Sequence, residues 1–308
     1  MANDKPKLLV ILGPTASGKS KLGIEIAKRI NGEIVNADSL QVYRYLDIGT
    51  AKPSEYELNQ VPHHLINIID PFEEFNAGVL RKLASKLIGE LSGKSAKIIV
   101  VGGTYLYVRV LLYGIIDGIP NDKEIRDDLK NLKSNFGVQY LHDKLRSIDP
   151  DSASRIHAND YVRIERALET YYLTGEKMSE FQEKHGFRDE EYKVLKIGIS
   201  EEREVLRRKI DERVDGMIQG GLVDEVRKLR DMGFGKQLKP MQSIGYKQIN
   251  LYLDGEIDLK RAIELIKRDT KRLAKRQMTW LRADRDIKWC HLPEDFEMVM
   301  EEAYAFFE

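Results

Sequence analysis

Residues 7–20 read KLLVILGPTASGKS, and residues 20–30 continue as SKLGIEIAKRI. The first six residues are an apolar run of strand length, and Leu22, Ile26 and Ile30 repeat at helical spacing. Between them Gly13, Pro14, Thr15, Ala16, Ser17, Gly18, Lys19 and Ser20 satisfy G-x-x-x-x-G-K-[ST]. In that setting, after a strand and before a helix, the motif is a phosphate-binding loop. Its glycines let backbone N–H groups curl round a phosphate, and the helix N-terminus adds partial positive charge. Lys19 supplies a full charge, and the Ser20 hydroxyl is able to ligate Mg²⁺. All eight positions are expected to bind a di- or triphosphate. The motif does not by itself imply nucleotide hydrolysis.

Outward from this loop, strands and helices alternate. Residues 33–37 (EIVNA), 64–69 (HLINII) and 97–101 (KIIVV) read as strands. Residues 77–91 and 104–113 read as helices. Such alternation predicts an α/β fold: a P-loop NTPase-like parallel sheet core flanked by helices. After residue 120 the texture changes. Helical patterns at 122–136, around Leu141 and Leu145, and at 160–173 follow one another, with breaks at Gly137 and Gly175. Residues 193–199 (KVLKIGI) return to the sheet. Helices then follow at 201–219, 222–232, 244–253 and 259–282, and a last short strand at 287–291. The expected organisation is a core of residues 1–120 and 191–308 with a helical insertion domain at 121–190.

The second strand delivers Asp38 to the same sheet edge as the phosphate loop, where ligands of parallel sheets bind. Asp38 is a candidate general base, a magnesium partner, or the cap of the following turn. The strand at 97–101 ends in Gly102-Gly103-Thr104. A nucleotide hydrolase would place an acidic residue there. Two glycines instead allow a ligand to come close, or simply close a bend, and Thr104 offers a hydroxyl. In the insertion, Arg163 and Arg166 share a helix face. Residues 241–247 (MQSIGYK) form a polar turn into a helix. Residues 270–282 (TKRLAKRQMTWLR) interleave basic side chains with Trp280, a texture suited to an RNA backbone and splayed bases or to a solvated helix face.

The chain has 308 residues, 50 basic and 50 acidic, so its net charge is zero, and 42% of it is hydrophobic. Mean hydropathy is −0.43. This is a globular composition. No apolar run approaches the ~20 residues of a membrane span, and the first residues lack a signal-peptide pattern. One cysteine, Cys290, excludes a disulfide framework and a Cys-rich zinc site. A cytoplasmic protein without membrane association, acting as a monomer, is expected. The neutral total hides an asymmetry: residues 260–288 carry 11 Lys/Arg against 4 Asp/Glu.

The strings GPTASGKS, NADSLQVYRYLDIGTAKPS, VPHHLINIIDP, VVGGTYLY, HANDYVRIERALE, MQSIGYKQ and AKRQMTWLR occur in this order. Together they closely resemble the tRNA dimethylallyltransferases (tRNA isopentenyltransferases), and the resemblance spans nearly the whole chain. It implies transfer of a dimethylallyl group from dimethylallyl diphosphate to N6 of the adenine 3′-adjacent to the anticodon. The tRNAs would be those reading codons that begin with U, and diphosphate would be released. By the resemblance, Asp38 is the catalytic base, and Thr104 and Arg126 are linked to both catalysis and tRNA. Arg213 joins the phosphate loop on the diphosphate. The tRNA-contacting segments are Asp38, Ser39, Leu40 and Gln41; Val162, Arg163, Ile164, Glu165 and Arg166; and Gln242, Ser243, Ile244, Gly245, Tyr246 and Lys247. The insertion would grip the anticodon stem-loop, and Mg²⁺ would serve as cofactor. The sequence departs from the family's usual residues at Phe75, Gln248, Lys271 and Leu273. Competing readings are a P-loop kinase of a nucleotide or small metabolite, an isopentenyltransferase of free adenine nucleotide, and a non-catalytic RNA-binding module.

Overall fold

Six parallel strands form one sheet in the order β3-β2-β4-β1-β5-β6. The computed structural model describes residues 5–116, 119, 121–186 and 191–308. Contacts divide the chain into two units, residues 1–112 with 190–308, and residues 113–189. The first unit opens with β1 (Lys7–Leu12), α1 (Lys19–Ile30), β2 (Gly32–Asn36), the single-turn α2 (Glu55–Leu58) and β3 (His63–His64). It continues through α3 (Ala77–Gly93), β4 (Lys97–Gly102) and α4 (Tyr105–Tyr113). The second unit holds α5 (Lys123–Ile148), α6 (Pro150–Arg155), α7 (Tyr161–Thr174) and α8 (Met178–His185). The first unit resumes with β5 (Lys193–Ser200), α9 (Arg203–Gln219) and α10 (Leu222–Asp231). A 3₁₀ turn (Pro240–Gln242), α11 (Tyr246–Leu253), α12 (Leu259–Arg282), β6 (Ile287–His291) and α13 (Phe296–Phe307) complete it.

Parallel strands must be apolar on both faces, because crossover helices cover both. Leu9 and Ile11 of β1, Ile99 and Val101 of β4, and Ile197 and Ile199 of β5 join one core with Ile26 of α1 and Val299 and Met300 of α13. The alternate residues Leu8, Val10, Ile98 and Val100 point to the other face and are equally buried. β1 pairs with β4 on one side and β5 on the other. It is therefore the central strand, and its C-terminal end opens at the middle of the sheet edge. The second unit has its own core of Leu129, Leu141, Leu145, Ile164 and Leu168.

Two expectations need correction. Residues 64–69 are not a strand beyond His64. Leu65 and Asn67 take left-handed backbone angles (φ 61° and 56°), so the segment leaves the sheet. It bonds to the loop after β2 instead, with Ile68 N donating to Val42 O and Arg44 N to Ile69 O, both at 2.8 Å. The chain also does not end its structure at residue 291. The spacing of Phe296, Val299, Met300 and Ala303 carries a further amphipathic helix, α13, whose Val299, Met300 and Ala303 are buried.

Lys196 of β5 lies inside this unit at 4% exposure and pairs with Asp284, 7% exposed, at 2.7 Å. The Tyr105 hydroxyl at the start of α4 donates to the same carboxylate at 2.9 Å. Burial pushes the Asp284 carboxyl up, but the bonds from Lys196 and Tyr105 outweigh it and hold it below the usual range. The lowered carboxyl contributes stability above the ordinary carboxylate pKa, lost as pH falls through its folded value. Lys196→Met leaves a buried charge with no cation and is expected to cost about 3–5 kcal/mol in denaturant unfolding at neutral pH. A loss under 1 kcal/mol, within the ~0–1 range of an exposed pair, would mean that water reaches Asp284.

Candidate active site

Three strand ends meet at one edge because β2, β4 and β1 are parallel neighbours. β1 runs into the phosphate loop. Gly18 stands before α1 with φ 89°, and Ala16 is also left-handed at 66°. These angles tighten the turn, within which Ser17 N donates to Pro14 O at 3.3 Å. Lys19, the first residue of α1, folds back so that Nζ donates to Pro14 O at 3.2 Å. Burial and the nearby Arg213 charge lower the Lys19 ammonium to about 8, with Asp38 offsetting part of the shift. Arg213, on α9, is likewise lowered by burial and partly sustained by Asp38. Two half-buried cations thus lie within electrostatic reach of one carboxylate, a local excess of positive charge suited to a polyanion. The Ser17 hydroxyl is buried in the same loop without a hydrogen-bond partner among the described residues.

β2 delivers Asp38. Its Oδ1 accepts from Leu40 N at 2.8 Å and Gln41 N at 3.4 Å. One oxygen therefore caps the turn, and Oδ2 accepts no hydrogen bond from the described residues. The second oxygen is thus left open by the cap. β4 ends at Gly102, where a Cβ would stand 2.6 Å from Ala37 O and 2.8 Å from Ala37 Cβ. Only glycine lets β4 approach the end of β2 this closely. Thr104 follows, and its hydroxyl reaches Ser39 Oγ at 3.3 Å. Phosphate loop, Asp38 and Thr104 are thereby gathered within one unit.

The loop after Asp38 is held from a distance. Glu225 on α10 accepts from the backbone N–H groups of Asp47, Ile48 and Gly49 at 3.0, 2.7 and 3.1 Å. The Tyr246 hydroxyl donates to the same carboxylate at 2.7 Å. The Gln41 side chain donates to Thr50 O and Ala51 O within this loop. Of the segment 242–247, Gln242 and Lys247 are exposed and Ser243 and Ile244 half-buried. Gly245 N donates to Gln248 Oε1. Tyr246 is fully buried, so its side chain braces the loop and offers RNA no surface. On α12, Lys267 pairs with Asp215 and Lys271 with Asp211, both on α9 and at 2.7 and 2.6 Å. Lys275, Arg276 and Arg282 are exposed and make no ion pair among the described residues.

In the second unit, Glu169 of α7 is wholly buried. Arg126 donates to it through Nε at 2.7 Å, Arg166 through NH1 at 2.7 Å, and Asp122 N at 2.9 Å. Burial pushes this carboxyl up, and the two arginines bring it below its usual range. Both guanidiniums stay about one-third exposed. Arg163 is exposed beside Asp160, and Glu165 accepts from the Tyr161 hydroxyl at 2.5 Å. Val162 is 71% exposed, whereas Ile164 is fully buried in the core of its unit and its side chain cannot touch RNA. Glu169 and Glu225 were not anticipated. An acid three residues after Arg166 is the only local hint for the first, and Glu225 has none.

Among the described residues no helix is long and apolar enough to cross a membrane. The IPP transferase family profile matches residues 41–284, and that of isopentenyl transferases residues 6–71. The tRNA dimethylallyltransferase of Geobacter metallireducens is 49% identical over 304 residues, covering 99% of this chain and 98% of that protein. Its counterpart "tRNA dimethylallyltransferase 1" of Citrifermentans bemidjiense is 49% identical over 302 residues, covering 98% and 97%. The crystal structure of the tRNA isopentenylpyrophosphate transferase of Bacillus halodurans superposes with TM-score 0.73 at 40% identity, over 98% and 97% of the two chains. A eukaryotic dimethylallyltransferase, crystallised acting on tRNA, gives TM-score 0.77 at 29% identity over 92% of this chain and 73% of its own. With the phosphate loop, the glycine-ended β4 and Asp38 at one sheet edge, and with relatives matched along its full length, the chain belongs to the IPP transferase family.

Proposed function

We propose that this enzyme transfers a dimethylallyl group from dimethylallyl diphosphate to N6 of the adenine 3′-adjacent to the anticodon, in tRNAs reading codons that begin with U. The carrying observation is the gathering of the phosphate loop, with half-buried Lys19, and a half-free Asp38 at one sheet edge, where Lys19 and Arg213 both feel the Asp38 charge. The phosphate-loop amides, Lys19 and Arg213 hold the diphosphate and stabilise the negative charge that grows as it leaves. The allylic C–O bond breaks, the N6–C bond forms, and the N6 proton passes to Asp38 Oδ2. The adenine amine is a weak nucleophile, so removing its proton as the new bond forms lowers the barrier. Thr104, beside Ser39, orients the amine or the bridging oxygen. The base leaves its stack to reach them.

Mg²⁺ fits this donor set. Among the described residues no group of three or more His, Cys, Asp or Glu forms a metal cage. Magnesium is commonly held by one or two protein oxygens together with substrate phosphates, and the Ser20 hydroxyl is such an oxygen. When bound, the ion would help neutralise the leaving diphosphate. On the RNA side, Lys247, Lys275, Arg276 and Arg282 of the first unit offer exposed cations. Val162, Arg163, Arg126 and Arg166 offer the insertion's surface to the anticodon stem-loop. The enzyme works as a monomer in the cytoplasm, where its tRNA is found.

The deciding experiment supplies dimethylallyl diphosphate, Mg²⁺ and unmodified tRNA, without ATP, and looks for N6-(dimethylallyl)adenosine by nucleoside mass spectrometry. ATP-dependent phosphorylation of a small metabolite with no prenylated nucleoside would overturn the reading. Asp38→Asn keeps a cap for Leu40 N and removes the base. It is expected to slow single-turnover chemistry by roughly 10²–10⁴-fold with diphosphate affinity largely kept; near-normal rates would reduce Asp38 to a cap.

The lowered Lys19 makes donor binding pH-dependent. Below about 8 the ammonium is already charged and affinity is flat. Above it, binding the anion must also take up a proton, so affinity for a non-reacting donor analogue should fall about tenfold per pH unit. Lys19→Arg, which stays charged, should flatten the profile in calorimetric titrations. A wild-type affinity constant from pH ~7 to ~9.5 would show that Lys19 does not meet the diphosphate.

Phosphate contacts can be counted by salt. Lys247→Ala and Arg163→Ala should each weaken stem-loop binding and lower the log–log salt slope by about 0.7–0.9. Affinity for a diphosphate analogue without RNA should not change. Unchanged RNA affinity and slope in both variants would make these ordinary solvated charges.

A further inference from the structure

Gln277 lies on α12, 262 residues along the chain from the phosphate loop, yet its Oε1 accepts from Thr15 N at 2.8 Å. Its Nε2 donates to Gly103 O at 2.8 Å. The two partners fix the orientation of the amide, since an N–H can only donate and a carbonyl can only accept. One side chain therefore joins the loop that holds the diphosphate to the turn that carries Thr104. The space is built for it: a Cβ on Gly103 would stand 3.1 Å from Nε2 and 3.2 Å from Lys19 Cε and Nζ. One turn earlier on the same helix face, Ala274 belongs to the small cluster with Leu206 and Ile210 of α9, against which Ala16 of the loop packs. The helix is anchored to the loop at two neighbouring points, one apolar and one polar.

We infer that Gln277 is a positioning residue for the transfer reaction, fixing the Gly103–Thr104 turn against the phosphate loop so that the leaving diphosphate and Thr104 keep one separation. This rests on the role given to Thr104 above. β1 and β4 already set that separation along the sheet. Both segments have left the ladder by Gly13 and Gly103, however, and no strand hydrogen bond reaches them. Gln277 supplies the missing cross-link at the level where the chemistry occurs. Glutamate in its place could accept from Thr15 N but could not donate to Gly103 O. Methionine, of nearly the same shape, could do neither.

Small misplacements of reacting groups cost rate more than affinity. Gln277→Met is therefore expected to lower kcat by about 10- to 100-fold, with KM for the donor changed less than about threefold. Gln277→Glu should not restore kcat. If Gln277 acts through Thr104, the two changes are not independent. The double variant Gln277→Met/Thr104→Ala should then turn over no more slowly than Thr104→Ala alone. Thermal unfolding of each variant is followed in parallel, and measurements are made well below every midpoint. A wild-type kcat for Gln277→Met, or losses that multiply in the double variant while Thr104→Ala is impaired, would overturn the proposal and leave the function assigned to Thr104 intact. A Thr104→Ala enzyme with wild-type kcat would overturn both, since Gln277 would have nothing to position.

Discussion

Two cations drawn partly out of water near one another are costly, and this sheet edge holds half-buried Lys19 and Arg213 so, with Asp38 as the carboxylate both of them feel. A soluble protein has no structural reason to gather charge this way, because desolvation penalises each cation and their repulsion adds to it. The arrangement becomes favourable when a polyanion arrives with several negative oxygens. Much of the first unit serves to fix it. β1 is central so that its loop opens at the middle of the edge. α9 carries Arg213 to the loop, and α9 in turn is tied to α12 by Lys267–Asp215 and Lys271–Asp211.

The same constraint explains why the strand end at β4 is glycine rather than acid. A carboxylate there would stand beside Lys19 and consume the positive potential that the departing group needs. Gly102 lets Ala37 approach, and Gly103 leaves room for Lys19 and Gln277. Asp38 is turned so that its capping oxygen faces the backbone of Leu40 and Gln41. The remaining oxygen accepts no hydrogen bond from the described residues, which is what the proposed proton transfer requires.

What was legible in the sequence is what short-range chemistry dictates. KLLVIL, the phosphate loop and the Leu22–Ile26–Ile30 spacing lie within one βα unit, and each local preference agrees with the fold. The break at Gly137 and the helical spacings that begin near Asp122 and Asp160 are equally local. Asp38 and Thr104 could be placed at one edge because parallel strands leave no other choice. Legibility ended where a partner is remote. Gln277 meets Thr15 across 262 positions, and Glu225 meets the 47–49 backbone across some 176 to 178. Nothing within a helical period of either residue announces it. The strand expected at 64–69 failed for a related reason: its apolar residues are real, but backbone pairing with residues 41–44 turns Leu65 and Asn67 left-handed. α13 was the opposite case, a local apolar spacing present in residues 296–303 and passed over.

Charge counting shows most plainly how a sum along the sequence differs from a field in space. The excess of basic residues between 260 and 288 suits either an RNA-facing surface or a solvated helix face. In the fold, the inward lysines 267 and 271 are neutralised by acids on α9, Asp269 draws in Arg268 and Arg272, Glu264 draws in Arg261, and Glu302 takes up Lys288. What remains outward without an ion pair among the described residues is a smaller set: Lys260 and Arg285 at the two ends of the stretch, and Lys275, Arg276 and Arg282 along the last two turns of α12 beside exposed Trp280. Gln277 lies among them in sequence but faces the phosphate loop. One helix thus presents an outward cationic face near the same residues whose inward side fastens the catalytic loops. This divides the labour between faces: a change to an outward arginine should alter how RNA is held, while a change to Ala274 or Gln277 should alter what happens to it once held.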